Sequence, residues 1–224
     1  RGKTMNLKKI RRLMKKYGLK CPYRGANPYR RMAKNLKTNA VFPNVVNREF
    51  AAKGVRKVLL TYITYIFYDK GVCYLSTILD AFTREILAYE LSPNFMVNFV
   101  LQTVDNLIAE HSCTLDDTTI IHSDQGCHYT SKAFIKKLSD NNFVQSMSRR
   151  GNCWDNAPHE SFFGHMKDEI KYDISLLKSF DEVKSVVDEW MYYYNNDRYQ
   201  WDLAKLSPRE YYEYVTTGVY PTFG

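Results

Sequence analysis

Apolar positions along this chain change period several times, and each change marks an element. Leu7, Ile10, Leu13 and Met14 recur at helical spacing within residues 5–17. Lys8, Lys9, Arg11, Arg12, Lys15 and Lys16 fill the other face and Gly18 follows as a stop, which predicts a short amphipathic helix. From Leu19 to Asn47 the period gives way to Pro, Gly, Asn and basic residues, the mark of a linker. Val58 to Phe67 is rich in β-branched and aromatic residues and predicts a strand, with a turn at Tyr68-Asp69-Lys70-Gly71. Val72 to Leu79 and Glu85 to Leu91 predict two more strands in an antiparallel meander. A helix is expected from Met96 to Glu110, burying Val97, Val100, Leu101, Val104, Leu107 and Ile108. Thr118 to His122 and Phe143 to Met147 complete five strands, with a helix near Ser131 to Ser139 between them. Ser179-Phe180-Asp181-Glu182 and Ser207-Pro208-Arg209-Glu210 are capping boxes that open two later helices. The order βββ-α-β-α-β-α describes a mixed sheet flanked by helices, an α/β domain.

Composition refines this picture in two places. With 45% hydrophobic residues and 224 in all, the chain can bury one sizeable core. No apolar run approaches the ~18 residues of a membrane span, and the basic start lacks a signal-peptide apolar stretch. A cytoplasmic protein with no membrane partner is expected. Cys21, Cys73, Cys113, Cys127 and Cys153 are scattered without a C-x-x-C pair, which argues for reduced thiols. Because Arg1 rather than Met comes first, an upstream segment is expected.

Charge is segregated. Residues 1–48 hold 15 Lys or Arg and no acid, whereas the remainder carries 17 basic against 24 acidic side chains. A basic arm on an acidic body points to a polyanion, most simply nucleic acid; a solvated tail is the competing explanation. The expected organisation is a basic helical segment and linker at 1–48, a catalytic core with carboxy-terminal helices at 49–214, and a tail at 215–224.

Candidate chemistry gathers on two short segments. Asp124 stands just past a buried strand, where a side chain is exposed yet fixed in position. Glu160 lies 35 intervening residues later in the first turn of a helix opened by Asp155 or Asn156, with Pro158 near its start. Lys167 follows two helical turns on, on the same face. Carboxylates from distant segments are how proteins hold the Mg²⁺ ions that act on phosphodiesters. Taken singly each residue has a plainer reading: a polar strand cap, a first-turn Glu complementing the helix dipole, a solvated Lys.

Together the segments resemble the integrase-core transposases of bacterial insertion sequences, in particular the second-reading-frame product of insertion sequence family three. The resemblance rests on VLLTYITYI, YLSTILDAFTREILAYELS, IIHSDQGCHYTS, SRRGNCWDNAPHESFFGHMKDE and YYYNNDRYQWDLAKLSPREYY, in this order. RRLMKKYGLKCPYR resembles the basic segment that precedes the family's core. The resemblance implies an RNase H-like integrase catalytic core with a DDE site and a basic helical amino-terminal arm. It also implies in-line phosphodiester cleavage and joining assisted by two Mg²⁺ (or Mn²⁺) ions. Asp124 is then the second acid, Glu160 the third and Lys167 the residue that steers DNA. Arg149, Arg150, Asn152, Trp154 and Asn156 fall in the segment leading into the catalytic helix, and Lys8, Lys9, Arg11, Arg12, Lys15 and Lys16 on the arm are further DNA contacts. Implied partners are element-end and target DNA, further copies of the protein, and an upstream-frame helix-turn-helix product. The implied location is the bacterial cytoplasm, on the nucleoid when DNA is bound. Retroviral integrases match less well, since their amino-terminal His/His/Cys/Cys module has no counterpart.

The sequence departs from this family at the first acid. Where the family reads Thr-Asp-Ile-Thr-Tyr, this chain reads Thr61-Tyr62-Ile63-Thr64-Tyr65. A neutral phenol is a poor Mg²⁺ ligand. Asp69 at a hairpin tip and Asp80 at the far end of the next strand are not expected to substitute. Impaired catalysis is the expected outcome, with activity through an altered metal arrangement as an alternative. A non-catalytic nucleic-acid-binding role is a further reading. A covalent Tyr62 nucleophile would need Arg and His partners, and none is expected near this strand.

Overall fold

The computed structural model describes residues 6–19, 40–69, 71–150 and 153–221, apart from the side chains of Cys153 and Lys171. The chain forms two compact units, Arg1–Lys37 and Thr38–Gly224. In the first, helix α1 (Leu7–Lys16) is capped by Asn6, whose side chain accepts from the Lys8 N–H at 2.9 Å. No residue of α1 is buried, so its apolar stripe is not covered within the described residues.

The second unit is built on a five-stranded sheet. Strands β1 (Val58–Tyr68), β2 (Gly71–Asp80), β3 (Ile86–Ser92), β4 (Ile120–Ser123) and β5 (Val144–Met147) lie in the order β3-β2-β1-β4-β5. The first three run antiparallel, and β4 and β5 join them in parallel. Period-two alternation along β1 sends Leu60 and Ile66 to one face and Leu59 to the other, so the core is two clusters divided by the sheet. Helices α2 (Val97–His111) and α3 (Lys132–Asp140) cover one face through Val100, Val104, Leu107, Phe134 and Leu138. Helices α4 (Ala157–Leu176) and α5 (Phe180–Asn196) cover the other through Phe162, Met166, Val187 and Trp190. Helix α6 (Pro208–Thr217) closes the described chain.

Both capping boxes form as their sequences require: the Ser179 and Ser207 hydroxyls accept from the Glu182 and Glu210 N–H groups, and each Glu reaches back. The elements otherwise fall within a residue or two of expectation. One cap differs. Neither Asp155 nor Asn156 caps α4 by its side chain, because Asp155 is drawn into an ion-pair network and a short 3₁₀ turn, Cys153–Asn156, leads in instead.

Candidate active site

Strand pairing brings the candidate residues together. In the parallel β1–β4 ladder Leu60 lies opposite His122, and continuing that register by two residues sets Tyr62 beside Asp124. Helix α4 packs across β1, with Phe163 of its second turn against the Tyr62 ring at a centroid distance of 5.8 Å. Glu160, in the first turn of α4, is exposed, whereas Asp124 and Tyr62 are half-buried. Burial raises the Tyr62 phenol above its ordinary value, and the charges of Asp124 and then Glu160 raise it further. Both carboxylates therefore lie near enough for their charge to act on Tyr62.

Asp124 is fixed from below. Its Oδ1 accepts from the Gly126 N–H at 2.8 Å, and a Cβ at Gly126 would lie 2.8 Å from the same oxygen, so any larger residue there would displace the carboxylate. Gln125 Nε2 donates to the Ser148 carbonyl at 3.1 Å, and the Ser148 N–H donates to Ser123 O at 2.8 Å. Those bonds tie the Asp124 loop to the end of β5. Burial pushes the Asp124 carboxyl up, partly offset by the Gly126 N–H.

Asn44 and Arg48, which sequence reasoning did not single out, help to hold the lead-in to α4. The fully buried Asp155 carboxylate accepts from Arg149 Nε and Nη2, each at 2.8 Å, from the Arg149 N–H at 3.0 Å and from Arg48 Nε at 2.8 Å. Asn44 Nδ2 adds a contact at 3.2 Å. Arg149 and then Arg48 hold its carboxyl far below the ordinary carboxylate range. His122 bridges Ser146 Oγ at 2.9 Å and the Asp155 carbonyl at 3.0 Å. Burial lowers its pKa, so a neutral ring occupies this bridge. Nothing in the local spacing announces the network, which joins residues up to 111 positions apart.

The other candidates divide between paired and free positions. Arg149 is committed to Asp155, while Arg150 is exposed and Trp154 is 70% exposed. Asn156 is buried with both side-chain amide atoms unpartnered, and Asn152 lies outside the described residues. Lys167 is exposed on α4 with no ion pair among the described residues, and local desolvation lowers its pKa. Lys8, Lys9, Arg11, Arg12, Lys15 and Lys16 are all exposed on α1.

One expectation needs correction. A histidine does sit near Tyr62: the tertiary fold lays the His159 ring against it, with centroids 6.2 Å apart. His159 nevertheless gives a nucleophilic tyrosine no base. Its Nε2 is bonded to Thr77 Oγ1 at 2.8 Å, its ring is stacked on Phe163, and burial drives its pKa down to about 3. Asp69 stays exposed at the hairpin end of β1, and Asp80 is buried in an ion pair with Arg56, so neither reaches the site.

The donor set is thus two carboxylates and one neutral phenol. Mg²⁺ takes hard oxygen ligands in near-octahedral geometry, and two ions sharing a site need a carboxylate between them. Among the described residues no group of three or more His, Cys, Asp or Glu is placed to hold a metal. With a neutral phenol in place of a third carboxylate, the set does not fit a pair of ions.

A five-stranded mixed sheet flanked by helices, with Asp124 at a strand end and Glu160 on the facing helix, defines an RNase H-like integrase core. Integrase core domain models match residues 54–153 and 142–208. A putative transposase for insertion sequence element IS150 from Escherichia coli is 34% identical over 94% of this chain and 72% of its own length. The chain belongs to the integrase-core transposases of insertion sequences. Among solved structures, the simian T-cell lymphotropic virus intasome matches with a TM-score of 0.62 at 12% identity, over 84% of this chain and 64% of that one. The HTLV-2 integrase catalytic core, solved in dimeric form with magnesium, matches at 0.51 and 10% identity, over 68% of this chain and 92% of that one.

Proposed function

We propose that this protein is a DNA transposition protein of the polynucleotidyl-transferase type whose strand cleavage and joining are impaired at Tyr62. The observation that supports this reading is the β1–β4 register, which, continued two residues beyond Leu60–His122, runs Tyr62 alongside Asp124, at the position where the family pattern has the first acid. A phenol raised by burial and by two carboxylates remains neutral at physiological pH, so it neither neutralises nor bridges divalent ions. Asp124 and Glu160 would bind Mg²⁺ or Mn²⁺ weakly, and two ions would assemble only with a third acid. Lys167, Arg150 and Trp154 would contact DNA, and two joined ends imply self-association. An upstream-frame helix-turn-helix partner would supply end recognition, and the protein would sit on the bacterial nucleoid when bound. No described helix is long and apolar enough to cross a membrane.

The test is cleavage and strand transfer on a duplex carrying the element's own end, with Mg²⁺ or Mn²⁺. The native chain should be nearly silent. Tyr62→Asp should raise the rate by roughly 100-fold or more, the scale on which metal sites respond to their supporting groups. Adding Glu160→Gln to that variant should abolish the gain. Robust cleavage by the native chain that Glu160→Gln removes would refute the impairment.

A second reading, a protein that only binds nucleic acid, is favoured by α1, whose six exposed cations face no acid in its first turn. Equal affinity for element-end and unrelated DNA, together with silence of Tyr62→Asp, would select it.

A further inference from the structure

Residues 42–50 run past the end of β5 to the lead-in of α4. Phe42 packs on one core, and the buried Val46 and half-buried Phe50 pack on the other. Pro43 O accepts from the Met147 N–H at 3.4 Å, and the Val45 N–H donates to Ser146 Oγ at 3.1 Å. The Glu49 N–H donates to Val46 O at 2.9 Å and closes a turn whose central residues, Asn47 and Arg48, have φ of 48° and 67°. Asn tolerates that left-handed region, whereas for Arg it is strained by the Cβ. The strained residue is the one whose Nε reaches Asp155.

Asp155 is oversubscribed. A carboxylate offers about four acceptor positions, and five N–H donors converge on this one. Its Oδ1 takes Arg48 Nε and Arg149 Nη2; its Oδ2 takes Arg149 Nε, the Arg149 N–H and Asn44 Nδ2. Two guanidinium groups thus share one buried carboxylate, and one cation is in surplus. The two are not equivalent. If the Arg149 side chain leaves, its own N–H, Arg48 and Asn44 still meet both oxygens. That side chain is 54% exposed and stands between the two acids. The preceding Ser148 bonds to the Asp124 segment, and Asp155 leads into the helix of Glu160. If Arg48 is lost instead, Arg149 becomes the last cation on Asp155. Stripping a buried charge of its partner is strongly destabilising, so Arg149 would then be held in place.

We propose that Arg48 is a positioning residue: it keeps Asp155 and the lead-in to Glu160 seated while Arg149 turns from Asp155 to a DNA phosphate. This rests on the DNA-binding part of the proposed function and is independent of whether Tyr62 abolishes chemistry. Arg149 exchanges one anion for another, and a guanidinium fork fits carboxylate and phosphate alike.

The plot of log affinity for one duplex against log salt counts phosphate contacts, at about 0.9 in slope for each. Arg149→Gln should flatten the slope of the full chain by about 0.9. Arg48→Gln should flatten it equally, because Arg149 must then stay on Asp155. In an Asp155→Asn background, whose neutral amide needs no cation, Arg48→Gln should leave the slope unchanged. A native slope in either single variant would overturn the proposal and leave the DNA-binding reading standing. Flattening by Arg48→Gln in the Asp155→Asn background would overturn it as well, by making Arg48 a phosphate ligand itself. A measurement on the native chain needs no variant to fold: adding duplex should shift the Arg149 Nε–H resonance and leave that of Arg48 in place. The reverse pattern, or no shift of Arg149 in a chain that binds, would refute the exchange. A native chain that binds no duplex would sink both readings.

Discussion

Asp155 shows how a single carboxylate can organise a site without touching its chemistry. It gathers Arg48, Arg149 and Asn44, while its carbonyl meets His122, so the lead-in to Glu160 and the strand before Asp124 share one anchor. Asp155→Ala should lower unfolding stability in urea by about 2 kcal/mol, the scale of charge-assisted hydrogen bonds whose cationic partners can re-solvate. Its carboxyl is depressed in the folded state. The stabilisation should therefore be complete above an ordinary carboxylate pKa of about 3.9 and fade as pH falls below it. His159 acts in the same direction over a different window. Its pKa falls to about 3 when buried, so the unfolded chain binds the extra proton below about pH 6.5. Stability should drop as pH is lowered from 7 towards 4. His159→Phe should reduce that slope by up to about 1.4 kcal/mol per pH unit in urea titrations at successive pH values. An unchanged slope would mean that the buried ring is not neutral.

Among the elements, β3 and the capped helices show local rules carried into the fold. As an edge strand, β3 would offer unpaired backbone to another chain, but flanking helices block it. The Asn195 side chain binds both Ile86 N–H and Ile86 C=O, at 2.9 and 2.8 Å, and His111 Nε2 lies 3.0 Å from Leu87 O. Asn195→Leu should leave both Ile86 groups open and raise concentration-dependent association, visible by light scattering. The α5 capping box is a simpler device: Ser179→Ala should cost about 1 kcal/mol in urea unfolding. Gly126 belongs here as well. Its N–H holds Asp124 at a distance that leaves no room for a Cβ, so the β4 turn and the acid it carries are set together.

For the whole molecule, the decisive arrangement is a sheet that divides two cores and brings its central strands to one end beneath α4. Parallel pairing of β1 with β4 runs Tyr62 alongside Asp124, while α4, which carries Glu160, packs across β1. Charge is distributed on the same scale, with the cations concentrated before residue 49. Replacing Lys8, Lys9, Arg11 and Arg12 with Gln should flatten the plot of log affinity for duplex DNA against log salt. The expected change in slope is about 0.9 per lost phosphate contact. An unchanged slope would remove α1 from the DNA interface.

The sequence alone determined the elements, because period-two and helical patterns, capping boxes and turn residues are local and survive without tertiary context. It also exposed Asp124, Glu160 and the anomaly at Tyr62 through ordered motifs. Tertiary structure decided what local spacing cannot encode. It tied Arg48 to Asp155 and laid His159 against Tyr62. Each depends on contacts between residues far apart in the chain. Such contacts are fixed by how the helices pack on the sheet and leave no periodic trace along it.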